Sequence, residues 1–253
     1  MDGAFLSDFR SGAVPRQPGQ PLLEVASLTK SHGEQLVLED VTFTANAGEI
    51  LGIIGPNGAG KTTMLECLAG ILVSDSGKVH CGGKLLSPSH RRDTIFYVPD
   101  GVRPYQDQFV THVLSFFAAV YRRSDTEVAD TIAAVGLSPV LHKRVHALSK
   151  GFSRRLLLAL GLLTPHKVLL MDEPFDGFDL RQTREIVATI RSEAAKGRTL
   201  LLAIHQLIDA QRICDRFALL SEGRVRGIGT INDLRDRTSL PTGSLEDIFL
   251  ALT

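Results

Sequence analysis

The octapeptide Gly55-Pro56-Asn57-Gly58-Ala59-Gly60-Lys61-Thr62 constrains this chain more than any other stretch. It follows GEILGIIG, an apolar run with the composition of a buried strand, and leads into MLECLAG, a helical run closed by Gly70. Strand, glycine-rich loop and helix in this order satisfy the phosphate-binding pattern GxxxxGK[ST] in its required context. The glycines let successive backbone N–H groups curl around phosphate oxygens, and the helix N-terminus adds the positive end of its dipole. Lys61 reaches the outer phosphates, and Thr62 offers a hydroxyl to Mg2+.

The remaining pattern is that of an α/β chain with a parallel sheet. LLEVASLTK and VTFTA, separated by SHGEQ, read as an antiparallel pair of strands. Val79 to Leu85 and Ile95 to Val98 read as further strands, and Val110 to Leu163 has helical spacing with breaks at Gly136, Pro139 and Gly151. KVLLMDEP is a buried strand ending in acids, Arg181 to Lys196 a helix, and TLLLAIH another buried strand. FALLSEGRV is a strand that runs into a Glu222-Gly223-Arg224 turn, and SLEDIFLALT is an amphipathic terminal helix. The expected fold is therefore a P-loop NTPase parallel-sheet core with an N-terminal antiparallel β subdomain and an inserted helical subdomain. One domain spans 22–253, with the helical insert at about 103–164 and the last helix at about 243–253. Residues 1–21, with Asp2, Asp8, Pro15, Pro18 and Pro21 among glycines, read as a flexible tail.

Composition removes several function classes. With 253 residues, 43% of them hydrophobic, the chain can bury a core and is neither disordered nor fibrous. Twenty-eight basic residues balance 28 acidic ones, so no nucleic-acid partner is expected. Cys67, Cys81 and Cys214 are scattered and without a CxxC pair, which favours neither a disulfide framework nor a zinc site and fits a reducing cytosol. The best apolar stretch, Leu156 to Met171, is interrupted by Thr164, Pro165, His166 and Lys167, so the chain is not expected to cross a membrane by itself.

Two further segments carry chemistry. Met171-Asp172-Glu173-Pro174 ends an apolar strand and delivers two carboxylates to the sheet edge where the phosphate loop opens. Asp172 would hold Mg2+ through water, and Glu173 would polarise an attacking water as general base. Leu148-Ser149-Lys150-Gly151 opens a helix, with Ser149 as N-cap and Gly151 permitting close backbone approach.

With these motifs in this order, the chain resembles the ATP-binding cassette (ABC) transporter family over nearly all of residues 22–253. The resemblance implies ATP and Mg2+ as ligands, held by Gly55, Pro56, Asn57, Gly58, Ala59, Gly60, Lys61, Thr62 and Thr63, with Thr62 and Asp172 on the metal. Glu173 and His205 are the implied catalytic pair, His205 following the strand LLLAI. LSKGFSRR stands where the family has LSGGQ, a signature supplied by the opposite subunit of a head-to-tail dimer; Ser149, Lys150 and Gly151 are its implied contacts. Lys150 and Phe152 depart from that pattern, and Ser153 stands where a glutamine is often found. FDGFD corresponds to the loop along the dimer seam and carries over Asp179.

Two other departures matter. His32 in LTKSHG replaces the family's adenine-stacking aromatic, and is either that stacking group or a loop histidine. Asp100 in YVPDGVRPYQDQFV replaces a metal-approaching glutamine, and is either a third metal-side group or a solvated acid; Gln106 and Gln108 have the wrong spacing for the role. The implied function is an ATP-hydrolysing subunit that dimerises on ATP, with a second copy as the expected partner, and powers a separate integral membrane permease from the cytoplasmic face. The terminal SLEDIFLALT resembles export-type subunits. Tyr105, Phe116 and Phe117 face either the permease or the core. The alternatives are a soluble ATPase of the family without a permease and a regulatory cassette that hydrolyses poorly; a P-loop kinase or GTPase is disfavoured by LSKG, MDEP and His205.

Overall fold

A computed structural model describes residues 21–253. The segment read as a flexible tail lies outside the described residues except Pro21, which opens the first strand. The chain begins with a long hairpin, β1 (Pro21–His32) and β2 (Gln35–Asn46), then β3 (Ile50–Ile54), α1 (Lys61–Ala69), β4 (Ser76–Cys81), β5 (Lys84–Leu85), α2 (Pro88–Arg91) and β6 (Ile95–Val98). The helical insert holds α3 (Val110–Val120), α4 (Asp125–Val135) and α5 (Lys150–Leu162). Then follow β7 (Val168–Asp172), α6 (Leu180–Ala195), β8 (Thr199–Ile204), α7 (Leu207–Ile213), β9 (Arg216–Ser221), β10 (Arg224–Gly229), α8 (Ile231–Thr238) and α9 (Leu245–Leu252).

These strands form two sheets. One is antiparallel with order β2-β1-β4-β5; the other has order β10-β9-β3-β8-β7-β6 and is parallel except for β10. The continuous apolar runs of β3, β7 and β8 follow from burial on both faces. Ile50, Ile54, Leu169, Met171, Leu200, Leu202 and Ile204 point into a core shared with α5, α6 and the insert. Their alternates Leu51, Ile53, Val168, Leu170, Leu201 and Ala203 point into a second core with α1 and the antiparallel sheet. Among the described residues no helix is long and apolar enough to cross a membrane.

Two local expectations are corrected. Val79 to Leu85 is not one strand but the hairpin of β4 and β5, turned by Gly82 and Gly83 at φ 63° and 79°, angles that favour glycine. Gly151 does not interrupt a helix: it lies in the first turn of α5, where a missing side chain breaks no earlier turn. Helices α2, α7 and α8 have no counterpart among the sequence expectations; α2 and α7 span four and seven residues, whereas α8 carries a local start signal, the capping box of Thr230 and Asp233.

Gly70 closes α1 at φ 74°, and a Cβ there would meet the Pro88 carbonyl oxygen at 2.1 Å. Gly70→Ala is expected to destabilise the fold by about 2–4 kcal/mol, through left-handed strain and overlap with backbone. Thermal unfolding checks this; an unchanged midpoint would show that the α1–α2 connection rearranges freely.

Candidate functional site

The parallel register sets the site. Ile54 pairs with Ile204 and Asp172 with Ala203, so the residues that follow β3, β7 and β8 emerge at one sheet edge. Gly55 is required there, since a Cβ would stand 2.2 Å from the Leu220 carbonyl oxygen. Gly58 and Gly60 take φ values of 82° and 102°, which wrap the loop onto the start of α1. Lys61 is buried, and its Nζ donates to the carbonyls of Gly55 at 2.7 Å and Pro56 at 3.2 Å. Burial holds its pKa below the ordinary lysine range, while the charges of Glu173 and Asp172 oppose that shift.

Two hydroxyls converge on Asp172 Oδ2, Thr62 Oγ1 donating at 2.6 Å and Tyr97 Oη at 3.5 Å. The phenol is half-buried, and its pKa is pushed up by burial first and then by the Asp172 charge. Glu173 adopts φ 48°, an unusual angle for a residue with a side chain, and its N–H donates to Ala203 at 3.0 Å. This bend turns the carboxylate toward β8, where His205 Nδ1 donates to Glu173 Oε2 at 2.5 Å.

Lys61, Thr62, Tyr97, Asp172 and Glu173 line a cleft of about 620 Å3, together with Asn57, Gly58, Gly60 and Thr63. Asp100 lines it as well, whereas His205 reaches it only through Glu173. Pro56 and Ala59 shape the loop from within: the Pro56 carbonyl accepts the Ala59 N–H at 3.2 Å, and Ala59 is buried. The paired oxygens of Thr62 and Asp172 are hard donors suited to Mg2+. Among the described residues no cluster of three or more His, Cys, Asp or Glu could hold a metal unaided, and two protein oxygens suit a cation shared with phosphates.

Other sequence-derived candidates are placed differently. His32 is exposed at the end of β1 and does not line this cleft; Val37 on β2 does. Asp100 lines the cleft, but its Oδ1 is paired with the Arg154 guanidinium of α5 rather than with Thr62 or Asp172. Ser149, Lys150 and Gly151 border a separate hollow of about 380 Å3. Ser149 Oγ accepts the Phe152 N–H at 3.3 Å, the N-cap geometry expected of it. Asp179 caps α6 by accepting the Gln182 N–H at 2.8 Å. Tyr105 and Phe116 are exposed and meet edge-on at 5.7 Å, whereas Phe117 packs against the core. Sequence reasoning missed Tyr97, Arg154 and Asp176. The spacing of Lys150 and Arg154, four apart on one helix, was the available sign for a shared face.

The depressed lysine gives a pH prediction. Only the ammonium form of Lys61 attracts phosphate, so ATP affinity measured without Mg2+ should begin to fall, as pH rises, below the ordinary lysine value of 10.5. Equilibrium binding across alkaline pH tests this, and constant affinity up to that value would contradict it.

Comparison with known proteins places the chain in a family. The family model described as ABC transporter matches residues 38–176. The chain is 33% identical over 222 residues to an uncharacterized ABC transporter ATP-binding protein of Methanocaldococcus jannaschii, covering 85% of this chain and 80% of that one. It is 34% identical over 208 residues to the Nod factor export ATP-binding protein I of Rhizobium sp. strain N33, covering 80% and 68%. Against the probable multidrug ABC transporter ATP-binding protein YbhF of Escherichia coli it is 32% identical, but it spans only 46% of that protein. A solved ATP-binding subunit of an ABC transporter superposes with a TM-score of 0.83 at 31% identity, covering 91% of this chain and 99% of the other. Sequence, fold and cleft thus agree: the chain belongs to the ABC transporter family, as an ATP-binding subunit.

Proposed function

We propose that this subunit hydrolyses ATP with Mg2+, closes with a second copy of itself around the nucleotide, and drives a separate integral membrane permease from the cytoplasmic face, in the export direction. The observation that carries the reading is the contact at 2.5 Å from His205 to Glu173, which lines the same cleft as Lys61 and the Thr62–Asp172 pair. Bound Mg2+ would supply charge neutralisation between the phosphate oxygens and the protein. Thr62 and Asp172 would hold it, and Lys61 would hold the outer phosphates by charge. Glu173 accepts a proton from the attacking water, and His205 fixes its carboxylate in place. His32, exposed in the same hairpin as the cleft-lining Val37, is the candidate for the adenine.

Closure with a second copy is supported by the first turn of α5. Ser149, Lys150 and Gly151 offer backbone N–H groups and a hydroxyl at a helix start, on a face far in sequence from their own phosphate loop. The exposed Tyr105–Phe116 pair on the insert supports a permease contact. Export is favoured by relatives such as the Nod factor export protein.

Lys61→Ala should weaken ATP binding by at least about tenfold, whereas Glu173→Gln should spare it and accumulate an ATP-bound dimer, because Glu173 acts mainly when water attacks. Light scattering with Mg2+ and ATP decides; a Glu173→Gln protein that binds ATP and stays monomeric would sink the dimer mechanism. A mixture of Lys61→Ala and Gly151→Asp chains should regain hydrolysis, since each mixed dimer keeps one complete composite site. If mixed dimers form and remain inactive, Gly151 does not serve the opposite nucleotide.

A further inference from the structure

Helix α5 turns two cations to one side, Lys150 and Arg154, one helical turn apart. Two carboxylates from different loops meet them. Arg154 Nη2 pairs with Asp100 Oδ1, on the loop after β6, and stands 3.6 Å from Asp176 Oδ2, on the loop after β7. Lys150 Nζ lies 2.6 Å from that same Asp176 oxygen. The Arg154 side chain is only 6% exposed, so its charge depends on these anions for compensation. Asp176 is held below the ordinary carboxylate range chiefly by its hydrogen bond to Lys150, with Arg154 and His205 adding their charges.

The position of Asp100 makes this pairing matter. Its carboxylate borders the cleft that contains Lys61, Thr62 and Asp172. An uncompensated negative charge there would repel a triphosphate, and a lone Arg154 would attract one. We propose that Arg154 is a positioning residue for the nucleotide site: by pairing with Asp100 it cancels the charge of an acid at the cleft edge and lets a polyphosphate bind beside it. Asp100 is then a charge-balanced edge group rather than a ligand of the metal. Arg154 also stands beside Asp176, three residues after Glu173, whose carbonyl accepts the Asp176 N–H at 3.2 Å. The same guanidinium therefore reaches two of the loops that border the cleft, those after β6 and β7.

The inference rests on the reading that the cleft takes ATP, and charge arithmetic provides a test independent of hydrolysis. Wild type and the double variant Asp100→Asn/Arg154→Gln carry the same net charge at the edge; the single variants deviate in opposite directions. ATP binding is measured by calorimetry in EDTA at low ionic strength. Arg154→Gln should weaken binding by about tenfold, the order for one added charge near a polyanion, and Asp100→Asn should strengthen it. The double variant should return to within about twofold of wild type, and added salt should shrink both single shifts.

If Arg154→Gln and the double variant bind equally weakly, Arg154 acts through packing and the proposal is overturned. If Asp100→Asn leaves affinity in EDTA unchanged and raises the Mg2+ needed for binding, Asp100 is a metal ligand and the proposal is equally wrong. Should circular dichroism show that Arg154→Gln does not fold, Arg154→Lys and Asp100→Asn carry the test. The first should keep wild-type affinity and the second tighten it; an Asp100→Asn protein with wild-type affinity overturns the proposal. Lys61→Ala is the control: binding as tight as wild type would remove the ATP reading itself, whereas loss of binding there isolates any failure to the Arg154 pairing.

Discussion

Parallel pairing of β3 with β8 and of β8 with β7 is the constraint on which everything else hangs. Ile54 opposite Ile204 and Asp172 opposite Ala203 fix where three strands end, and hence which residues can meet. A shift of one residue would exchange Ile50 and Ile54 for Leu51 and Ile53 between the two cores. Both faces are buried, so the register is defended from both sides. The phosphate loop, the Asp172-Glu173 pair and His205 come together across more than a hundred residues of chain because hydrophobic side chains elsewhere leave their strands no other alignment.

That edge collects charges, each fixed by its own partner. Lys61 is held by the Gly55 and Pro56 carbonyls, Asp172 by Thr62 and Tyr97, and Glu173 by Ala203 through its N–H and by His205 through its carboxylate. Groups already oriented need little reorganisation when charge develops between them. Support extends behind the loop: buried Arg91 donates to the Cys67 carbonyl at 2.6 Å, near the C-terminal end of α1, where a positive charge complements the helix dipole. The helix that presents phosphate-binding N–H groups at one end is thus anchored electrostatically at the other.

Legibility in the sequence followed the range of the interaction. The phosphate loop was readable because its requirements are local: glycines at fixed offsets, then a helix. The parallel core was readable because doubly buried strands must be apolar throughout. Tyr97 was not, since an aromatic residue in the strand IFYV fits ordinary burial and nothing local reveals that its hydroxyl meets an acid on the neighbouring strand. Asp100 read as a metal-side group or a solvated acid because Arg154, 54 positions onward, becomes its partner only when α5 packs beside β6. His32 matched a motif position, but its place relative to the cleft is set by the hairpin of β1 and β2, which brings Val37 into the lining.

The insert departs from β6 and returns at β7, and these strands are neighbours, pairing from Ile95 with Val168 to Val98 with Met171. The two ends of the excursion are therefore side by side, wherever the chain travels between them. Closing such a loop carries an entropy that grows only logarithmically with its length. The nucleotide core can accordingly accept inserts of different size and surface with little thermodynamic penalty, so the insert is exchangeable while the cleft stays as it is. Helix α5 limits that freedom, because one of its faces belongs to the insert and another, through Arg154, to the cleft.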